Sequence, residues 1–516
     1  MRGLTQRYAR GQDHRKSFRI SIWLSAITTI IGIGVLLFAQ HPALKSIALL
    51  AVIGISSVLF LTFFLEEGLY HLFIQGRKDR GQVPFTLVSF LLSVIAFVIF
   101  VSGCFLLMGI RLLFFMPLFP KRQKLIYHYL VMWYCRFLLY IMMNMRKKVV
   151  DKKNIDFSKP SVIISNHHSF LDILMMLMFH PKVVMVTNDW VYNSPFFGMV
   201  VRYADFIRVS AGIETQLDKI RKLVEQGYSI IVFPEGQRSE HIELSRFHKG
   251  AFYLAEVLQL DIQAVVLHGT HRAMPKKDGF YLRSGCLYAR FLQRIAVDDP
   301  GFGLGYKERT KQISKYFRVE YQKTRVAMET PSYHYETLYK NYLYKSPVLE
   351  WYFRVKMWLE GHYQLFLEIL PANGRIFDIG CGYGFLSFSL ALNRETTWVT
   401  GLDYDANKIE IADNCPVKPA NLRFIHADAA TFDYPPATAY ILSDVLHYLT
   451  REEQHGLMVR LIATLEPGGL LLVRDGDKEK RKSTEAHSLP SFFRPMPDLT
   501  KPGISSTLSL PPGCSK

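Results

Sequence analysis

The sequence of 516 residues contains few cysteines, and their spacing gives them no evident structural role. It has six cysteines, and no two of them form a Cys-x-x-Cys pair. Isolated cysteines are typical of reduced thiols in a cytoplasmic setting, and they exclude a small secreted domain held by disulfides. The sequence also has no zinc-ligand spacing. It therefore predicts no metal site and no disulfide framework.

Acidic residues are in deficit, with 44 Asp and Glu against 62 Lys and Arg, which leaves a net charge of +18. Such a charge would permit nucleic-acid binding, but no compact basic recognition helix accompanies it. Nearly all the long apolar runs lie before Asp151, so cytoplasmic loops and anionic lipid headgroups explain the charge better. We therefore expect membrane lipids and no nucleic acid among the partners.

A cleavable signal peptide is not evident, because the first apolar run begins late and ends without a small-residue cleavage site. Two apolar runs, 20–39 and 47–65, are each long enough to cross about 30 Å of hydrocarbon as a helix. Basic residues flank the outer end of each run. This pattern predicts a transmembrane hairpin over 1–80 with both ends in the cytoplasm.

A third apolar run covers 84–120 and is too long for one simple membrane pass. Basic residues stand on both sides of it, so we expect its two ends on the same side of the membrane. The segment 81–146 is therefore predicted to hold a re-entrant pair of short helices that bends near 103–109. An interfacial helix over 125–145 is predicted to follow it.

Two polar motifs each follow a short apolar run that predicts a buried strand. The first covers 166–172 and places His167 five residues before Asp172, and the second covers 233–239. An imidazole can take up a proton near neutral pH, and a carboxylate can hold the ring in one tautomer. Strand-like and helix-like stretches alternate over 147–330, which predicts an α/β domain that carries both motifs.

Together these motifs resemble those of the glycerolipid acyltransferase family, the PlsC-type lysophosphatidate acyltransferases, which have N-H-x-S-x-x-D and F-P-E-G-T-R-S. The first motif matches, and the second matches except that Gln237 replaces the threonine. The resemblance implies that His167 deprotonates an acceptor hydroxyl while Asp172 orients the imidazole. It also implies an acceptor site formed by three residues, Glu235, Gly236 and Arg238, the last as a planar fork for phosphate oxygens.

The implied reaction transfers a fatty acyl group from acyl-CoA or acyl-carrier protein to a hydroxyl of a lysophospholipid or glycerolipid-like acceptor. Two points stay open. His168 is a rival base, although the family's spacing to the aspartate selects His167. The family's second motif usually ends in an arginine that helps to hold phosphate, whereas Arg208 stands out of register here. The sequence therefore predicts acyl transfer without settling that the acceptor is a glycerol phosphate.

A glycine-rich turn follows another predicted strand in the segment 372–477. Asp378 stands near the end of that strand, and the glycines after it let a backbone approach a ligand closely. Asp403 closes a second strand about 20 residues further on, where an acid can bind ribose hydroxyls. Asp428 follows a third strand. The order predicts a nucleotide-binding α/β domain.

This order resembles that of class I S-adenosylmethionine-dependent methyltransferases, which have a Rossmann-like fold and the first motif D-x-G-x-G-x-G. The resemblance implies S-adenosylmethionine as cofactor. A nicotinamide-dinucleotide fold is the alternative, but its last glycine would fall at Phe385 or Ser387. The implied cofactor contacts are Asp378, Gly380, Gly382 and Gly384 for the methionine part, Asp403 for the ribose and Asp428 for the adenine.

The end of the chain differs from that family. The segment 478–516 is rich in serine and proline, shows no clear alternation and is predicted to be disordered. The predicted sheet would then keep an unpaired edge, so we expect an incomplete domain with impaired methyl transfer. A helical linker over 331–371 is predicted to connect the two enzyme domains.

The first hairpin resembles the last two transmembrane helices of a resistance-nodulation-division (MMPL-type) lipid exporter, through the stretches 28–34, 41–47 and 51–55. The whole chain looks like the C-terminal part of a trifunctional exporter, acyltransferase and methyltransferase. The expected location is a bacterial-type inner membrane, with several membrane passes and the enzyme domains facing the cytoplasm. The resemblance to exporter helices also suggests a transporter chain as a partner.

The expected fold class is a multi-domain membrane protein with N-terminal transmembrane helices, an α/β glycerolipid-acyltransferase domain and a Rossmann-like α/β methyltransferase domain. The alternative function is that of a non-catalytic exporter fragment whose enzyme-like domains serve as scaffolds. A scaffold, however, has no need of His167, Asp172 and Glu235 together at the family's spacing.

Overall fold

The computed structural model describes residues 8–11, 15–113, 120–279 and 281–475. The chain divides into two compact units. The central unit covers Thr86–Glu329, and the flanking unit combines Met1–Phe85 with Thr330–Lys516.

Two long apolar helices form the N-terminal part of the flanking unit. Helix α1 covers Arg15–Gly34 and α2 covers Pro42–Phe60, after which the helical path continues to Lys78 through two π-helical stretches. The sequence predicts that the second run ends at 65, because two glutamates follow it. In the structure the helical path continues past them, and Arg19 of α1 pairs with Glu67 at 3.1 Å.

Three helices are long and apolar enough to cross a membrane, judged by length and composition: Arg19–Phe38, Pro42–Lys78 and Leu87–Leu112. The third belongs to the central unit and is the main part of α3, Leu87–Leu113. Large apolar side chains on the first two of these helices are exposed, for example Phe38 at 89% and Leu50 at 72%. Helices that are apolar all round are typical of membrane spans.

The predicted bend near 103–109 is wrong, because α3 runs through this stretch without a break. Helix α4, Pro120–Ile141, packs beside it and brings Tyr134 against Gly103. A Cβ atom at Gly103 would lie 2.2 Å from the Tyr134 hydroxyl oxygen. That hydroxyl donates to two α3 carbonyl oxygens, at 2.9 and 2.8 Å. The glycine therefore serves close helix packing and not a bend.

The central unit contains a seven-stranded sheet whose inner strands are buried apolar runs. The strands are β1 Met145–Val150, β2 Val162–Ser165, β3 Val183–Thr187, β4 Ile207–Arg208, β5 Ser229–Val232, β6 Ile262–His268 and β7 Gly285–Phe291. Their order is β1-β7-β6-β2-β5-β3-β4, and all neighbours are parallel except β6 and β7. Buried parallel strands of this kind need helices on both faces.

Seven helices of the central unit follow α4. They are α5 Leu171–Leu177, α6 Asp189–Tyr192, α7 Gly198–Tyr203, α8 Leu217–Glu225, α9 Gly250–Val257, α10 Thr270–Ala273 and α11 Gly305–Met328. Two apolar cores lie between helices and sheet, one of which includes residues of α3 and α4. The apolar helices of this unit therefore pack directly on the domain that carries His167.

The rest of the flanking unit is a doubly wound domain. Its helices are α12 Tyr335–Tyr342, α13 Pro347–Leu359, α14 Gln364–Ile369, α15 Phe385–Asn393, α16 Ala406–Asp413 and α17 Arg451–Thr464. Its strands are β8 Gly374–Ile379, β9 Thr397–Asp403, β10 Leu422–His426, β11 Ala437–Ser443 and β12 Leu465–Arg474. The sheet order is β10-β9-β8-β11-β12 with all neighbours parallel, so the topology reverses between β8 and β11. Ligands bind at such a switch point in open α/β sheets.

The segment 331–371 is helical as predicted, but it is not a free connector. Leu349, Phe353 and Met357 recur at helical spacing along α13 and are buried in one core with Ile376 of β8. This segment therefore completes the fold of the flanking unit. Within the described residues β12 forms the sheet edge, and the predicted disordered segment 478–516 lies outside them.

Gly103→Val should destabilise the packing of α3 on α4, because the new side chain would overlap the Tyr134 ring. Overpacking of this kind costs about 1–3 kcal/mol. The measurement is the thermal unfolding of the detergent-solubilised full chain by intrinsic fluorescence. Gly109→Val is the matched control, since a Cβ atom at Gly109 meets nothing within 4 Å. Equal midpoints for the two variants would contradict this packing.

Candidate active sites

The two polar motifs of the central unit meet at one edge of its sheet. His167 follows β2, and Glu235 follows β5, which is the parallel neighbour of β2. Because the carboxyl ends of parallel strands lie on the same edge, the loops that carry the two residues come together. The backbone amide of Ser239 also donates to the carbonyl oxygen of His167, at 2.8 Å.

His167 and Asp172 form a hydrogen-bonded pair. The imidazole Nδ1 lies 3.1 Å from Oδ2 of Asp172, which is fully buried, whereas the His167 side chain keeps 13% of its surface exposed. The same carboxylate oxygen accepts the backbone amides of His168 and Ser169, at 2.7 Å each. With Nδ1 donating to the carboxylate, Nε2 carries the lone pair that can accept a proton from a substrate.

The charge state of Asp172 suits this arrangement. Burial by itself would raise the pKa of its carboxyl group. The hydrogen bond from His167 and the charges of the nearby imidazoles lower the pKa by more than burial raises it. The Thr270 hydroxyl acts in the same direction, and the pKa lies below its usual value. Asp172 is therefore ionised at neutral pH and can stabilise a protonated His167.

His168 occupies a structural position behind the pair. Its side chain is 1% exposed, and its Nδ1 accepts a hydrogen bond from the Asn166 amide at 2.9 Å. The Asn166 side chain also bonds both backbone groups of Leu267 in β6, at 2.9 and 2.8 Å. These contacts tie the loop to the sheet, so the geometry favours His167 over His168 as the base.

Glu235 is buried between two loops. It is 2% exposed, with Oε1 accepting the backbone amide of His167 and Oε2 accepting that of Ser245, both at 2.8 Å. A carboxylate occupied in this way braces the loop that carries His167. The sequence could not show this role, because Ser245 lies outside both motifs.

Gly236 and Arg238 lie on the exposed side of the same turn. Gly236 has φ +74°, and its amide donates to the carbonyl oxygen of Phe233 at 3.0 Å, so the turn needs a residue that tolerates the left-handed region. Burial lowers the pKa of Arg238, and the charge of Asp172 opposes this shift. Among the described residues no hydrogen bond or ion pair engages the guanidinium, so it can meet an anion.

Arg208 forms an ion pair away from the His167–Asp172 pair. Its guanidinium bonds the carboxylate of Asp189, which also accepts the Ser210 hydroxyl at 2.5 Å. The hydrogen bond from Arg208 holds the pKa of Asp189 below its usual range. The structure thus brings Arg238, and not Arg208, to the dyad.

Two contributors were missed by the sequence analysis. The ring of Phe233 stacks on that of His167, with centroids 4.1 Å apart, and Thr270 lies buried beside Asp172. Phe233 is the first residue of the second motif, so its position was visible in the sequence but its contact with His167 was not. Thr270 begins α10, and only the strand order of β2 and β6 brings it close.

An apolar cavity of about 60 Å³ lies between α3, α4, α5 and α7, and a second of about 30 Å³ adjoins it. Phe100 of α3 and Phe170 of the first motif line both cavities, with ring centroids 5.4 Å apart. Asp172 lies two residues after Phe170 in the sequence. Phe170 therefore connects the first motif to both cavities.

The flanking unit contains a larger cavity, of about 1220 Å³, at the carboxyl ends of β8, β9 and β11. Five of the predicted cofactor residues line it: Asp378, Gly380, Gly382, Asp403 and Asp428. Gly384 does not. It begins α15 with φ +75°, and a Cβ atom there would lie 2.5 Å from the ring of Phe424. Its role is helix packing.

The glycine loop fits a ligand that approaches the backbone. Gly382 has φ +57°, and a Cβ atom there would meet nothing within 4 Å, so the loop leaves open space above it. Asp403 holds the loop in place, because its Oδ2 accepts the Gly382 amide at 2.7 Å and its Oδ1 accepts the Asp405 amide at 2.9 Å. The glycine loop is therefore fixed in position and leaves room for a ligand at Gly382.

Asp378 is buried below this loop. Burial raises the pKa of its carboxyl group to about 6, and the charge of Asp403 adds to the shift. The Ser387 hydroxyl, which donates to Asp378 at 2.5 Å, opposes it. A cation placed against Asp378 would favour the ionised form.

Two family models match parts of the chain. Residues 146–268 match the family model described as Acyltransferase, and residues 376–469 match the one described as Methyltransferase domain. The chain is 32% identical over 145 residues to a 1-acyl-sn-glycerol-3-phosphate acyltransferase of Cocos nucifera, which is 27% of this chain and 47% of that protein. The chain spans about half the length of the curated relatives it matches.

Two solved structures are similar. The 1-acyl-sn-glycerophosphate acyltransferase PlsC of Thermotoga maritima is 19% identical, covers 46% of this chain and 97% of that chain, and has a TM-score of 0.40. Coclaurine N-methyltransferase bound to N-methylheliamine and SAH is 18% identical, covers 22% of this chain and 34% of that chain, and has a TM-score of 0.20. The chain thus carries an acyltransferase domain and a methyltransferase domain.

Glu235→Gln should lower both stability and acyl transfer. The amide side chain has one acceptor oxygen, so one of the two backbone N–H groups would lose its partner at a cost of about 1–3 kcal/mol. Thermal unfolding and initial rates of acyl transfer measure the effect. Glu243→Gln, an exposed position on the same loop, is the control. An unchanged midpoint in the Glu235 variant would refute the bracing role.

Proposed function

We propose that the central unit transfers a fatty acyl group from a thioester donor, acyl-CoA or acyl-carrier protein, to a hydroxyl of a lysophospholipid or glycerolipid-like acceptor. The observation that carries the proposal is the 3.1 Å contact between His167 Nδ1 and the buried carboxylate of Asp172. The contact would orient the base, and the half-buried guanidinium of Arg238 lies close enough to Asp172 for its charge to be felt. The acyltransferase relatives support the same reaction class.

In this reaction the acceptor hydroxyl gives its proton to Nε2 of His167 while its oxygen attacks the thioester carbonyl carbon. The carbon–sulfur bond then breaks, and the leaving thiolate takes the proton from the imidazolium. Asp172 keeps Nδ1 protonated and stabilises the positive ring between the two steps. No covalent acyl-enzyme is formed.

Other residues of the central unit would bind the two substrates. Arg238 would bind the acceptor phosphate, because a guanidinium matches phosphate oxygens in a two-point fork. The apolar cavity between Phe100 and Phe170 would take the start of the acyl chain. Glu235 and Gly236 would shape the acceptor site through the loop that they hold.

We also propose that the chain is a membrane protein. The candidate spans α1 to α3 would anchor the chain in a bacterial-type inner membrane, with membrane lipids as partners and both enzyme domains on the cytoplasmic side. The resemblance of the first hairpin to exporter helices suggests a transporter chain as a further partner. A purely scaffolding role explains neither the dyad nor the preformed glycine loop.

The flanking unit would use S-adenosylmethionine as methyl donor. Asp378, Gly380 and Gly382 would hold the methionine part, Asp403 the ribose and Asp428 the adenine. When bound, this cofactor supplies an electrophilic methyl group on a sulfonium centre. The protein's part is to hold the loop open at Gly382 and to present carboxylates to the cationic ligand.

His167→Ala should reduce acyl transfer by about 10²–10⁴-fold, because the general base is lost. His168→Asn, whose amide can replace Nδ1 as the partner of Asn166, should keep most of the activity. Initial rates with acyl-CoA and lysophosphatidate, together with unfolding midpoints, make the comparison. Loss of activity confined to the His168 variant would reverse the assignment of the base.

The affinity for S-adenosylmethionine should rise by about tenfold between pH 5 and pH 7. The carboxyl group of Asp378 has a pKa of about 6, and the cationic ligand binds better once that group is ionised. Isothermal titration at several pH values measures the slope. Asp378→Asn should bind more weakly with a flat profile, and a flat profile in the unmodified chain would exclude the linkage.

A further inference from the structure

The cavity of the flanking unit extends beyond the groups assigned to the cofactor. Next to His447 the wall carries the exposed ring of Tyr448, with centroids 4.1 Å apart, and Trp351 also lines the cavity; these two side chains are 75% and 65% exposed. Tyr352, whose ring lies 6.3 Å from that of Tyr383 in the glycine loop, and Tyr404, which follows Asp403, line the cofactor end. Exposed apolar surface around a cavity is typical of a site that binds an apolar ligand.

One hydrogen-bonded acid–base pair belongs to this part of the cavity. His447 follows β11 and Asp475 follows β12, which is the parallel neighbour of β11. Nδ1 of His447 lies 2.8 Å from Oδ1 of Asp475, and the backbone amide of His447 donates to Oδ2 at 3.0 Å. The carboxylate thus holds the ring in the tautomer that leaves Nε2 with a lone pair. The imidazole is 37% exposed and lines the cavity.

The other acids of the cavity wall are engaged in other contacts. Asp444 pairs with Arg474 at 2.6 Å and with Lys356 at 3.1 Å. Glu453 accepts the Thr450 amide at 2.8 Å as part of a helix cap. Asp378, Asp403 and Asp428 lie at the cofactor end of the cavity. His447 is therefore the group best placed to take a proton from a second ligand.

We propose that this part of the cavity binds a methyl acceptor with a hydroxyl group on an apolar body, with His447 as its general base and Asp475 as a positioning residue. The inference rests on the methyl transfer proposed above. A hydroxyl group needs a base to become a good nucleophile, whereas a carboxylate or a neutral amine already has a free lone pair. The aromatic wall accounts for the apolar body.

The step is a direct substitution. The acceptor oxygen gives its proton to Nε2 of His447 and bonds to the donated methyl carbon. The carbon–sulfur bond of the sulfonium donor breaks with its electron pair on sulfur, which leaves a neutral thioether. The product is a methyl ether, and the proton on His447 then passes to solvent.

The acceptor would come from the membrane. Ala9 and Arg10 line the cavity, and the first candidate span begins at Arg19, so the chain between them reaches at most about 30 Å. The Asn414 side chain accepts a hydrogen bond from Lys78, at the far end of the hairpin, and donates to the Tyr8 carbonyl oxygen at 2.7 Å. Lys78 and Tyr8, which lie after and before the two candidate spans, are thus both bonded to the domain that contains the cavity. We therefore assign the acceptor to the class of membrane-resident hydroxyl lipids.

The test uses the full chain in liposomes made from the total lipid extract of the cells that express it, with S-adenosylmethionine labelled in the methyl group. We expect label in the chloroform-soluble fraction that resists mild alkaline hydrolysis, as a methyl ether does. Labelled methanol released by alkali would indicate an ester and overturn the hydroxyl assignment. In a parallel arm, label incorporated only from the water-soluble cell extract would overturn the membrane source.

His447→Gln should lower the rate of labelling by about 10²–10⁴-fold and leave the Kd for S-adenosylmethionine within twofold. Asp475→Asn should lower kcat by about 10–100-fold with the KM for S-adenosylmethionine unchanged, and Asp475→Glu should recover part of the loss. His455→Gln, on the exposed face of α17, is the control. Unaltered labelling in the His447 variant would overturn the role of this residue.

A readout that does not depend on turnover is the modification of His447 by diethyl pyrocarbonate, mapped by peptide mass spectrometry. We expect modification in detergent, and protection when S-adenosylhomocysteine and the lipid extract are both present. Absence of protection would place the acceptor elsewhere. If S-adenosylmethionine fails to bind to the unmodified chain, the proposed methyl transfer itself fails. Intact binding without labelling from either extract overturns only the acceptor site.

Discussion

The buried carboxylate of Asp172 is the charge on which the proposed acyl-transfer site depends. An isolated carboxylate away from water costs several kcal/mol, so it must be bonded where it stands. One of its oxygens meets Nδ1 of His167 and the backbone amides of His168 and Ser169. Its position in the first turn of α5 adds the favourable end of the helix dipole. The same contacts that stabilise the charge also orient the base.

Both units use a buried carboxylate to hold a loop at the carboxyl end of a parallel sheet. Glu235 accepts the amides of His167 and Ser245 in the central unit, and Asp403 accepts those of Gly382 and Asp405 in the flanking unit. Backbone amides at such loops have no strand partner, and a carboxylate can satisfy two of them at once. The two sites are thus shaped by the same interaction, although their chemistry differs.

Apolar helices take part in both units. Helix α3 is continuous and contributes Phe100 to the apolar cavities of the central unit, and Gly103 lets α4 pack closely on it. In the flanking unit, Asn414 of the doubly wound domain contacts Lys78, at the end of the second candidate span, and Tyr8, which precedes α1. Each domain is therefore built together with helices of membrane-span composition, which suits substrates that carry hydrocarbon.

Local patterns in the sequence determined the strands before each motif, the glycine loop and the identity of the dyad, because these depend on residues close together in the chain. The bend in α3 was predicted wrongly, since a glycine that breaks a helix and one that packs a neighbour look the same in sequence. The role of Glu235 and the pairing of His447 with Asp475 join residues separated by 68 and 28 positions. Only the tertiary structure could decide these contacts, because they depend on which parallel strands are neighbours in the sheet.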